Sequence, residues 1–151
     1  MINTRNYDQL IGDINSLIEG ENNLFANLGN ILSSIKYNMS WFWVGLYKVE
    51  GEELVLFLFQ GPHACTRIKK GKGVCGVAWE ENRVIIVDDI SSFEGHISCN
   101  ASTKSEIVIP IRNKKGEVAL LLDIDSDLYG DFTEKDAAEL QKITSIIEQI
   151  I

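Results

Sequence analysis

The chain has 151 residues, 14 Lys and Arg against 22 Asp and Glu, and a formal net charge of −8. Its length and 45% hydrophobic share suit one domain spanning residues 1–151, and only 2 Pro among ample aliphatics exclude a disordered or low-complexity chain. The acidic balance excludes a nucleic-acid binder and a surface made for anionic lipid, since both depend on Lys and Arg.

Polar Met1–Leu10 carries no apolar leader. No uncharged apolar run reaches the roughly 18 residues of a membrane span, so the expected compartment is the cytoplasm. Thiols are kept reduced there. The three cysteines are therefore expected to be catalytic, metal-binding or buried.

Leu10, Ile11, Ile14, Leu17 and Ile18 recur at helical spacing and predict a helix over Tyr7–Ile18. A second helix is expected from Asn22 to Ile35. The aromatic, β-rich stretch Trp41–Val49 reads as a strand, with Trp41, Trp43, Gly45 and Tyr47 on one face. Glu50-Gly51-Glu52 turns it into a second strand, Leu54–Phe59. Gln60–Lys72 reads as a loop, Gly73–Glu81 as a short helix and Val84–Val87 as a strand. Asp88–Lys104 is a long loop without periodicity, the kind that often carries function. Two strands follow, Glu106–Ile111 and Val118–Asp125, and then a closing helix, Thr133–Ile151, with Thr133 and Asp136 as a capping pair. The links between strands are too short for parallel crossovers. The expected fold is α+β: a mainly antiparallel sheet with the N- and C-terminal helices on one face.

Period-two alternation places Asp123 and Asp125 on the same face of an otherwise apolar strand. Two readings remain open there: a solvated strand end, or carboxylates held for a purpose. Glu106, which opens another apolar strand, has the same two readings. Cys65 and Cys99 lie in the two least regular segments, and Cys75 opens a helix. The helix terminus and nearby Arg67, Lys69, Lys70 and Lys72 are expected to lower the Cys75 pKa. His63 with Cys65, and His96 with Cys99, match no zinc-knuckle spacing. Gly71–Gly76 lacks the ending of a phosphate loop. Neither a metal nor a cofactor is expected.

Six stretches together carry a resemblance. They are Trp43–Tyr47, Gln60–Ile68, Gly71–Gly76, Gly95–Cys99, Ser105–Pro110 and Leu122–Ser126. The chain resembles the free methionine-(R)-sulfoxide reductases, small enzymes built on a single GAF domain. The resemblance implies a pocket between the sheet and the loops carrying Cys65 and Cys99. It implies Cys99 as nucleophile, Cys65 as its disulfide partner, and Cys75 as a third cysteine that enters catalysis or recycling. Trp43 and Tyr47 match pocket walls, and Glu106, Asp123 and Asp125 match the acidic groups that hold substrate, with Glu106 the favoured acid. The implied partners are free methionine (R)-sulfoxide, thioredoxin as reductant, and a second copy in a homodimer. His63 before Ala64-Cys65, and Ala119–Leu122 before the acidic motif, depart from the family pattern without removing a chemical group. The rival reading is a non-catalytic GAF sensor of a small molecule or of redox state.

Overall fold

A computed structural model describes residues 5–97 and 99–151. Its elements run α1 (Tyr7–Ile18), α2 (Leu24–Met39), β1 (Trp43–Glu50), β2 (Glu53–Gln60), β3 (Arg67–Lys69), α3 (Gly73–Glu81), β4 (Ile85–Val87), a 3-10 turn at Ile90–Ser92, β5 (Ser105–Arg112), β6 (Val118–Ser126) and α4 (Glu134–Ile150). The six strands form one sheet in the order β3-β2-β1-β6-β5-β4, and every pairing is antiparallel.

Local chemistry sets the helix ends. The side chains of Asn6 and Asn23 accept from the amides of Gln9 and Ala26, at 3.0 Å each, and so cap α1 and α2. Thr133 and Asp136 form a complete capping box on α4. Helix α2 continues to Met39, four residues past the expected end. No Gly or Pro lies between Ile35 and Ser40, which closes the helix in the left-handed conformation (φ 58°).

The sheet has a core on each face. Leu10, Ile14, Leu28, Ile31, Leu140 and Ile143 from α1, α2 and α4 pack on Val44, Leu46, Ile107, Ile109, Leu122 and Ile124. The expected α+β arrangement, with terminal helices on one face, is the one observed. Helix α3 and the long loops cover the opposite face, where Trp43, Tyr47, Val108 and Leu121 meet Val74, Cys75, Ala78 and Trp79. Burial on both sides explains why the central strands are nearly unbroken apolar runs.

Three expectations are corrected. Trp41 does not share a face with Trp43 and Tyr47. It precedes β1, so strand alternation does not reach it, and it packs in the helical core against Phe132, ring centres 5.2 Å apart. The loop Gln60–Lys72 contains the edge strand β3, where Ile68 is buried between exposed Arg67 and Lys69. The loop Asp88–Lys104 contains the 3-10 turn, capped by Asp89.

An ion-pair cluster closes the end of the sheet where β5 begins and β6 finishes. Arg5 lies over the Trp41 ring, 5.0 Å from its centre, and pairs with Asp131 and with Asp136 (2.8 Å). Tyr7 donates to Asp136 and Ser126 to Asp131. The Asp131 amide donates to Ser105 Oγ. Burial alone would raise the Asp136 pKa, but the donors Tyr7 and Thr133 and the charge of Arg5 hold it below its ordinary value.

Candidate active site

The register of the sheet centre gathers the acidic residues. Asp125 of β6 lies between Trp43 of β1 and Glu106 of β5, while Asp123 lies between Gly45 and Val108. All point to the face covered by α3. Glu106 and Asp123 are buried, at 8% and 5% exposure, and Asp125 is half-buried. The solvated-end reading is therefore set aside for Glu106 and Asp123.

Cys75 joins them from α3. Its thiol and one carboxylate oxygen each of Glu106 and Asp123 lie within 4.8 Å of one another. Gly76 permits this approach: a Cβ there would stand 2.5 Å from the Lys69 carbonyl.

Burial raises the pKa of Glu106, and the charges of Asp123 and Asp125 raise it further. Asp125 is raised by burial and by Asp123. Asp123 is raised by burial, partly offset by Glu106 and Cys75 as proton donors. The Cys75 pKa is raised, not lowered, by burial first and then by the charges of Asp123, Glu106 and Asp125. The sequence-based expectation failed because Arg67, Lys69, Lys70 and Lys72 are all exposed, with Lys70 held over the Trp79 ring, while Cys75 is buried. Among the described residues, no cation pairs with Glu106, Asp123 or Asp125. Buried Asp123 Oδ1 has no hydrogen-bond donor among them either.

The aromatic residues of β1 form a wall and a tether. The Trp43 ring stacks on Phe59 (5.4 Å) and Tyr47 (6.2 Å). Trp43 Nε1 donates to the Pro62 carbonyl at 2.9 Å, and the Tyr47 hydroxyl to the Cys65 carbonyl at 2.8 Å. Both bonds fasten the Cys65 loop to the sheet. Gly45 is obligatory between the two rings, since a Cβ would strike the Trp43 indole and approach Phe59 Cβ to 2.7 Å. Burial and the nearby Asp123 charge push the Tyr47 phenol pKa up.

Above the carboxylates, Cys65 and Cys99 form a disulfide with Cα atoms 5.2 Å apart. Cys75 is free and buried. In this disulfide form, Cys65 and Cys99 are not available as zinc ligands beside His63 and His96. Trp43, Tyr47, Cys75, Cys99, Glu106, Asp123 and Asp125 line one cavity. Sequence reasoning missed several of its lining residues, including Ile68, Ile90, Asn100 and Thr103. They lie in a three-residue edge strand and an irregular loop, where periodicity carries no signal.

The GAF-domain family profile matches residues 23–151. The chain belongs to the GAF-domain family. It is 47% identical to GAF domain-containing protein A of Dictyostelium discoideum, across 94% of this chain and 90% of that one. It is 38% identical to the free methionine-R-sulfoxide reductase of Escherichia coli, across 100% of this chain and 92% of that one. Among solved structures it resembles the free methionine-R-sulfoxide reductase of Neisseria meningitidis in complex with its substrate. The TM-score is 0.91 at 40% identity, covering 95% of this chain and 87% of the other. Among GAF domains the chain groups with the free methionine-R-sulfoxide reductases. In this GAF domain the cavity lies on the sheet face opposite α1, α2 and α4, against α3 and the loops bearing Cys65 and Cys99.

Proposed function

We propose that the chain reduces free L-methionine (R)-sulfoxide to methionine with its own paired thiols. One observation carries this reading: a Cys65–Cys99 disulfide stands over a cavity whose wall holds buried, uncompensated carboxylates. The relatives named as free methionine-R-sulfoxide reductases support it.

The substrate is a zwitterion. Its ammonium group supplies the cation that Asp123, Asp125 and Glu106 lack, with Asp123 Oδ1 as a ready acceptor. Trp43 and Tyr47 enclose the S-methyl group and keep water out. Glu106 holds a proton near neutral pH because its pKa is raised, and gives it to the sulfoxide oxygen. The Cys99 sulfur attacks the sulfoxide sulfur. The substrate S–O bond breaks as the protonated oxygen passes to Cys99, so methionine departs with a lone pair restored to its sulfur and Cys99, oxidised by two electrons, becomes a sulfenic acid. The Cys65 thiolate then displaces that oxygen as water, and the disulfide forms. A thioredoxin-type dithiol restores both thiols by exchange. In sum, one sulfoxide and two thiols give one methionine, one disulfide and one water. Cys75, buried and free, is a third thiol within reach of the carboxylates.

The test is turnover of three substrates with a thioredoxin system: free methionine (R)-sulfoxide, its S epimer and an N-acetylated analogue. Activity on the free R epimer alone is expected. Activity only on the N-blocked compound overturns the carboxylate pocket as an ammonium site.

A further inference from the structure

We propose that Cys75, Glu106 and Asp123 form a binding site for a thiophilic divalent cation of the zinc and cadmium class. The three ligand atoms come from α3, β5 and β6, and all lie within 4.8 Å of one another. The edge of a zinc tetrahedron with bonds of about 2.0–2.3 Å is about 3.3–3.8 Å, so side-chain adjustment of about an ångström closes the set.

Two further observations point to a cation. Asp123 is only 5% exposed, lines the cavity, and has an oxygen with no donor. No Lys, Arg or His among the described residues pairs with these carboxylates. Buried charges are held by pairing or by coordinating metals. A mixed sulfur–oxygen set suits zinc and cadmium better than magnesium or calcium, which take oxygen alone. On binding, the Cys75 S–H bond is replaced by a sulfur–metal bond and the proton passes to the buffer. No electron transfer is involved.

The site overlaps the proposed substrate cavity but does not depend on the reductase reading. It is tested on oxidised protein with cadmium and no substrate. In that form Cys65 and Cys99 are joined, so Cys75 supplies the one remaining thiol. Titration with Cd²⁺ should give the ultraviolet thiolate-to-cadmium charge-transfer band, saturating at one ion per chain. Equilibrium dialysis should show that ion absent from Cys75→Ala. Glu106→Gln keeps the thiol and should raise the Kd at least about tenfold, since even an outer-shell partner is worth about 10–100-fold. No band in the oxidised protein, one retained ion per chain in Cys75→Ala, or an unchanged Kd in Glu106→Gln each overturns the site.

Discussion

Replacing Glu106 with Gln should make the substrate-free protein more stable at alkaline pH. Ionised Glu106 and Asp123, with oxygens no more than 4.8 Å apart, repel by about 3.5 kcal/mol at an effective dielectric constant of about 20. The native protein avoids part of that cost by keeping a proton. Because the folded pKa of Glu106 is raised, native protein binds this proton more tightly than unfolded protein does. Its contribution is therefore complete below the ordinary carboxylate pKa of about 4.3 and is lost as pH rises through the raised native value. Gln cannot ionise, and its amide brings a donor beside Asp123. Urea unfolding of oxidised protein should show Glu106→Gln more stable by about 1–3 kcal/mol at pH 8, which is about 2–12 °C in Tm for a chain of this size. The difference should shrink towards pH 5. A variant less stable than the parent at pH 8, or a difference independent of pH, refutes the reasoning.

Other outcomes follow from the same structure. Cys99→Ser should fold normally and release no methionine from free methionine (R)-sulfoxide by chromatography, whereas Cys65→Ser should release one equivalent per chain and then stall. Gly45→Ala should cost about 1–3 kcal/mol in urea unfolding, the usual range for overpacking, and should alter the near-ultraviolet dichroism of Trp43. Arg5→Ala leaves Asp131 and Asp136 without their cation and should cost about 2–4 kcal/mol near neutral pH, discounted slightly for partial exposure. Asp136 has a depressed pKa, so its contribution is present above about pH 3.9 and lost as pH falls through the native value; the gap between Arg5→Ala and parent should close in acid.

The faces of β6 were legible because alternation survives in a strand buried on both sides. Leu120, Leu122 and Ile124 go to the helical core, and Leu121 and Asp123 to the cavity face. Trp41 was misread because the same alternation was extended two residues past the strand's start. β3 escaped notice because three residues with one buried Ile give periodicity nothing to repeat. The convergence of Glu106 with Asp123 depends on the register of β5 against β6, which pattern reasoning on single strands does not supply. The sign of the Cys75 shift depends on which way side chains point. Four basic residues nearby in sequence lost to burial of the thiol and, after it, to the charges of Asp123, Glu106 and Asp125 in space.

The two halves of the disulfide are not mechanically alike. Cys65 is fastened to the stiff middle of the sheet through Tyr47, with Trp43 holding Pro62 beside it. The segment around Cys99 enters through Gly95, whose carbonyl accepts from Gly73, and leaves through Lys104, whose amide donates to Ser126. Between those points the hydrogen bonds among the described residues are local, from His96 to Phe93, from Cys99 to Ile97 and from Ser102 and Thr103 to Asn100. The disulfide is thus the main cross-tie of that segment. When a reductant opens it, one sulfur stays at a fixed address while the other is released on a short leash. In the proposed cycle, opening and closing that bond frees and refastens the Cys99 side of the pair, while the Tyr47 tether keeps the Cys65 side on the sheet.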